Sequence, residues 1–171
     1  RNISVVLAAL EAYKPAVLAN HERLKSLIGA LQLPGRFQIV SNQHEWILDV
    51  AHNPQSARAL YAQLQYRGLP DSKPCTIVLG MLADKHAAEF AEPLATLASL
   101  WITCPTAGSR GCDPEVLRQR ISGVVHGPIL AERSVTTALE RARKDTPVGG
   151  RIIICGSFLT VGPALEWLGL Y

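Results

Sequence analysis

The run Ile47-Leu48-Asp49-Val50-Ala51-His52-Asn53-Pro54 holds the densest chemistry in the sequence. An apolar segment delivers a carboxylate at its end, then a histidine, then Asn53 before Pro54, which pairs a helix N-cap with proline at the first helical position. A carboxylate so placed can accept hydrogen bonds from a ribose hydroxyl or orient a cation, and the helix start favours an anion. The alternative is structural: Asp49 satisfies the next turn and His52 is a loop residue, and residue types alone leave both open. As a polar loop residue, Asp49 is expected to add little to the core. Asp49 and His52 also have the spacing of a metal pair, but no third ligand lies nearby, so no metal site is expected.

Other candidates lie further along. Cys155-Gly156-Ser157 puts a serine at a strand-to-helix turn without a G-x-S-x-G elbow, so a helix cap is its default role. Lys85 and Arg110 are loop cations whose alternative is a solvated surface. The planar cation of Arg36 suits phosphate oxygens, against a surface salt bridge worth at most ~1 kcal/mol. No G-x-x-x-x-G-K-[ST] run and no G-x-G-x-x-G after a strand occurs, so this chain lacks the usual means of cradling nucleotide phosphates. No nucleophile or general base stands out, and no catalytic residue is assigned.

The elements that must position these residues follow from periodicity and punctuation. Residues 3–13 and 22–32 carry apolar side chains at helical spacing, and Leu33-Pro34-Gly35 then stops the helix. Short apolar runs follow at Phe37–Ser41, Trp46–Val50, Thr76–Leu79, Leu100–Thr103 and Arg151–Cys155, with Ile129–Leu130 a sixth. Helices led by Asn53, Asp113, Ser134 and Ser157 alternate with them. This rhythm predicts an α/β fold, Rossmann-like, with a mostly parallel sheet of about six strands and helices on both faces. The short polar link Asn42-Gln43-His44 predicts an antiparallel hairpin of the first two strands at one edge. Two units are expected, residues 1–33 and 34–171. In such a sheet ligands bind beyond the carboxyl ends of the strands, which points to loops 49–54, 80–86, 104–113 and 155–158.

Composition narrows the classes. A chain of 171 residues with 48% hydrophobic content can bury a sizeable core unaided. A net charge of +3 without a basic run makes nucleic acid an unexpected partner. No apolar stretch approaches the ~20 residues of a membrane span. Four cysteines without C-x-x-C spacing read as reduced thiols, hence a cytoplasmic setting. A chain that opens on Arg1 inside a helical pattern is expected to be part of something larger.

Ordered motifs carry a more specific resemblance. Leu33-Pro34-Gly35-Arg36-Phe37-Gln38, then Asp49-Val50-Ala51-His52-Asn53-Pro54, Gly80-Met81-Leu82-Ala83-Asp84-Lys85, Ser109-Arg110-Gly111 and Cys155-Gly156-Ser157-Phe158 resemble the C-terminal domain of folylpolyglutamate synthase/dihydrofolate synthases in the Mur ligase superfamily. Residues 1–33 resemble the last helices of that family's central ATPase domain. The resemblance implies that Asn2, Arg36 and Asp49 contact ATP, and that His52, Lys85, Arg110 and Ser157 bind L-glutamate. It further implies an acyl-phosphate mechanism on dihydropteroate or folates, with Mg2+ ligands and the phosphate-cradling loop in an N-terminal part. The implied partner is the central ATPase domain in cis, within a monomer. Two features depart from the family: His86 stands where an acidic residue is common, and the link around Ala12 to Ala19 is long. Two rivals remain, a peptidoglycan-precursor ligase sharing D-x-A-H-x-P and a non-catalytic α/β binding module. The Leu-Pro-Gly-Arg-Phe-Gln lead-in and the Gly-Ser-Phe turn favour the folate type.

Overall fold

The computed structural model describes residues 2–30, 33–68 and 73–170. The chain divides into two units, Arg1–Leu33 and Pro34–Tyr171. The first holds α1 (Asn2–Tyr13), a 3-10 turn (Pro15–Leu18) and α2 (His21–Ala30). Asn20 starts α2 by accepting the Arg23 N–H at 3.0 Å. The 3-10 turn fills the long link noted in the sequence. Leu31, expected in the second helix, lies outside the described residues.

The second unit contains β1 (Gln38–Ser41), β2 (Glu45–Leu48), α3 (Pro54–Tyr66), β3 (Cys75–Leu79), α4 (Ala87–Ala91), β4 (Leu100–Thr103), α5 (Pro114–Ile121), β5 (Ile129–Ala131), α6 (Val135–Asp145), β6 (Arg151–Cys155) and α7 (Phe158–Trp167). The six strands lie in the order β1-β2-β6-β3-β4-β5. β1 pairs antiparallel with β2 and every other pairing is parallel. This is the α/β sheet with an edge hairpin that the sequence implies.

Two apolar layers cover the sheet, and strand periodicity assigns each side chain to one of them. Along β2, Ile47 faces the layer shared with Leu60, Leu64, Phe90 and Leu117 of α3, α4 and α5. Trp46 and Leu48 face the opposite layer, shared with Leu139 of α6 and Val161 and Leu165 of α7. β3 and β6 are buried along their whole length, so apart from Thr76 and Arg151 their sequences read as continuous apolar runs rather than alternating ones. Each fully buried aliphatic side chain contributes about 1.5–3 kcal/mol, which anchors the strand ends that carry the site.

All four expected N-caps are formed. Asn53 accepts the Ser56 N–H at 2.9 Å, Asp113 accepts Glu115 N–H at 2.9 Å, Ser134 accepts Thr137 N–H at 3.0 Å and Ser157 accepts Leu159 N–H at 3.1 Å. Because β6 sits between β2 and β3, the carboxyl ends of these three central strands converge. Among the described residues no helix is long and apolar enough to cross a membrane.

Candidate functional site

The three central strand ends come closer than side chains allow. Gly156 N–H donates to Ala51 O at 2.8 Å, continuing the β2–β6 pairing past the strands. At Gly156 φ is 105°, and a Cβ there would stand 2.4 Å from the Gly80 carbonyl oxygen. Thr160 Oγ1–H, from the first turn of α7, donates to that same carbonyl at 3.0 Å. Glycine is required at position 156 for both its backbone angle and this approach.

Loop 80–86 is joined in turn to loop 106–112. Ala83 N–H donates to Arg110 O at 2.8 Å and Cys112 N–H to Met81 O at 3.0 Å. Side chains reinforce the seam: Arg110 Nη2 lies 3.1 Å from both oxygens of Asp84, and Lys85 Nζ lies 3.6 Å from Asp84 Oδ2. The hydrogen bond from Arg110 holds the Asp84 carboxyl below its ordinary pKa, so it stays ionised. Among the described residues only Nη2 of the Arg110 guanidinium is engaged, and its other nitrogens keep their N–H donors.

These loops enclose a cleft of about 340 Å³ to which His52, Lys85, Arg110 and Ser157 all contribute. Four residues from four separate loops thus line one cleft, together with the apolar Leu82, Phe158 and Leu159. Ser157 is buried and accepts the Leu159 N–H as a cap, yet its own hydroxyl proton remains to be donated. His52 Nδ1 lies 2.9 Å from Val50 O. A carbonyl only accepts, so Nδ1 carries the proton and Nε2 is the ring nitrogen left facing other partners.

Asp49 and Arg36 lie next to this cleft. Asp49 Oδ1 accepts the Ala51 N–H at 2.8 Å and Oδ2 accepts the Phe37 N–H at 2.9 Å. The expectation that Asp49 adds little to the fold is therefore corrected: its carboxylate ties the lead-in loop to the end of β2. Burial pushes its pKa up, and the two backbone hydrogen bonds and the nearby Arg36 offset this only in part. Phe37, expected within β1, instead has φ 45°, so the strand starts one residue later at Gln38. The Arg36 guanidinium lies over the Phe158 ring, 5.3 Å from its centroid. The Asn2 side chain lies outside the described residues.

Phe158 and Asp84 were not singled out from sequence as site residues, although both fall inside quoted motifs. Asp84 acts across 26 residues on Arg110, and Phe158 meets an arginine more than a hundred positions earlier. Only the folded chain brings such pairs together. Among the described residues no group of three or more His, Cys, Asp or Glu side chains could hold a metal ion.

The profile of a protein family described as Mur ligase, glutamate ligase domain matches residues 35–158. The chain belongs to that family. It is 34% identical over 165 residues to the dihydrofolate synthase/folylpolyglutamate synthase of Escherichia coli (strain K12), covering 96% of this chain and 37% of the relative. To the enzyme of the same description from Buchnera aphidicola subsp. Baizongia pistaciae it is 28% identical, covering 98% of this chain and 39% of the relative. Among solved structures, E. coli FolC in complex with DHPP and ADP superposes with a TM-score of 0.74 at 34% identity, covering 83% of this chain and 33% of that one. A Yersinia pestis bifunctional folylpolyglutamate synthase/dihydrofolate synthase, complexed with AMPPNP and Mn ion, superposes with a TM-score of 0.72 at 35% identity, covering 82% and 32% of the two chains. This chain thus spans little more than a third of the length of these family members.

Proposed function

We propose that the chain is the C-terminal domain of an ATP-dependent ligase that adds L-glutamate to dihydropteroate, folates or both. In this reading residues 1–33 close a central ATPase domain, and the described cleft receives the amino acid. The observation that carries it is the convergence of His52, Lys85, Arg110 and Ser157 on one cleft. A glutamate has two carboxylates and one amine, and the cleft offers two cations, one hydroxyl donor at a helix N-terminus, and one imidazole nitrogen. With Nδ1–H committed to Val50 O, the remaining Nε2 of His52 can accept from the amine.

The chemistry transfers the γ-phosphoryl of ATP to the substrate carboxylate, giving an acyl phosphate and ADP. The glutamate nitrogen then attacks the acyl carbon, the C–N bond forms, phosphate leaves and the amine loses its proton. The part of this chain is charge neutralisation and positioning. Arg36 and Asp49, together with Asn2, would contact ATP held by the preceding domain. Relatives of this chain have been solved with ADP or with AMPPNP and Mn. In this reading any Mg2+ is held by the preceding domain, and no step assigned here runs through it.

The test is Lys85→Ala and Ser157→Ala in the intact enzyme. Loss of one charge-assisted contact of roughly 1.5–3 kcal/mol raises the glutamate KM about ten- to a hundredfold, more for the lysine, and the ATP and folate constants move much less. Equal losses for all three substrates would assign these residues to domain closure. An unchanged glutamate KM in both variants would leave only a surface lysine and a helix cap.

A further inference from the structure

We infer that Phe158 is a positioning residue for Arg36: its ring sets the plane of the guanidinium and leaves the N–H edge open to an anion. The inference rests on the reading that Arg36 meets the phosphates of ATP.

The backbone that carries Arg36 is fixed from both sides. Gly35 has φ 68° and Phe37 has φ 45°, both in the left-handed region. Gly35 O accepts the Val50 N–H at 2.9 Å, Gly35 N–H donates to Gln38 Oε1 at 3.0 Å, and Phe37 N–H donates to Asp49 Oδ2 at 2.9 Å. The Cα of Arg36 is thereby held, and only its side-chain torsions are left to settle. Phe37 cannot settle them, since its own ring is covered by Arg67 at 5.4 Å.

Phe158 is placed to do so. It is the first residue of α7, it is 58% exposed, and it belongs to neither apolar layer. A single exposed aromatic needs no explanation by itself; what distinguishes this one is the Arg36 guanidinium over its ring. Its ring lines both the cleft and a neighbouring groove at Pro34, Val50 and Val161. A cation–π contact uses the face of the guanidinium, whereas an ion pair would occupy its N–H groups. Among the described residues Arg36 makes no ion pair or hydrogen bond, so all five donors remain for phosphate oxygens. Charge on the residue alone is not enough for such a contact; the fork must be aimed.

The experiment is a double-mutant cycle in the intact ligase, using Phe158→Leu, Phe158→Tyr, Arg36→Ala and the pair Arg36→Ala with Phe158→Leu. The probes are the KM for ATP, the KM for glutamate and a melting curve. Phe158→Leu keeps apolar bulk without the ring and should raise the ATP KM about three- to tenfold with little change in melting temperature. Phe158→Tyr keeps the ring and should restore at least half of that loss. In the background of Arg36→Ala the leucine change should add less than twofold, because it acts through the arginine. If Arg36→Ala raises the ATP KM but Phe158→Leu does not, or if the two effects multiply fully, the positioning role is wrong and the arginine's own role stands. A rise confined to the glutamate KM would make Phe158 a wall of the cleft and also overturns it. An Arg36→Ala enzyme with unaltered ATP kinetics overturns both readings together.

Discussion

Replacing Asp49 measures what ties the lead-in loop to the sheet. Both carboxylate oxygens accept a backbone N–H, from Ala51 at 2.8 Å and Phe37 at 2.9 Å. Asp49→Ala leaves two amides to find water at a partly buried position, each costing about 1–3 kcal/mol. Against this stands the burial that raises the carboxyl pKa, a cost the alanine removes. The balance is a loss of roughly 2–3 kcal/mol, which for a chain of this size lowers the melting temperature by about 4–12 °C. Asp49→Asn keeps one acceptor and faces an NH2 against the other amide, so it should fall between. The acid range adds a second check. Because the folded carboxyl titrates above 3.8, the unfolded chain ionises first as pH rises through that value, and folded stability declines until the folded carboxyl follows. The gap between the natural protein and Asp49→Asn should therefore be widest below 3.8 and narrow above it. Melting curves of both variants across pH 3–7 measure this, and an alanine variant melting within about 2 °C of the natural protein at neutral pH would refute the argument.

Other expected outcomes follow from the same geometry. Gly156→Ala must adopt φ 105° and bring a Cβ to 2.4 Å from Gly80 O, so it should cost more than about 3 kcal/mol and lower soluble yield; normal melting would show that the three strand ends can separate. Glu45 accepts from Arg151, which is 2% exposed, and also from Lys73. Burial pushes the Glu45 pKa up, but Arg151 and Lys73 outweigh it and the net shift is downward. Its contribution is therefore present above pH 4.5 and lost as pH falls through the lower folded value, so Glu45→Gln should lower the melting temperature at neutral pH and change it little in acid. The purified 171-residue chain should neither hydrolyse ATP nor form an amide bond, since it has no phosphate-cradling loop; turnover free of full-length enzyme would disprove this.

Where the sequence was legible, burial made it so. β3 and β6 are buried throughout, and such strands are mostly apolar on both faces, so Ile77–Leu79 and Ile152–Cys155 stand out unaided. Caps were equally plain, because Asn-Pro and Asp-Pro leave few other conformations open. Strand order was not legible, since nothing local in Arg151–Cys155 says that it inserts between β2 and β3. Nor was α4, whose five residues are too few to show a period and run into the turn at Glu92–Leu94. Phe37 reads as strand by composition, yet the Asp49 carboxylate, reached only after twelve residues, holds it in a left-handed turn.

The same distinction separates the parts of the candidate site. Lys85, Ser157 and His52 could be suspected one by one because each lies where a strand ends and a loop or helix begins. Their common cleft depends on β6 being central, for only then do loops 49–53, 80–86 and 156–157 meet. What fixes the cations within it is different again. Asp84 bridges Arg110 and Lys85, and its exposed position means that solvent screens the pair. A screened, partly satisfied bridge holds two cations near one another without neutralising both, which leaves a net positive lining for an amino acid with two carboxylates. A buried bridge in the same place would have held them more firmly and left less charge to offer.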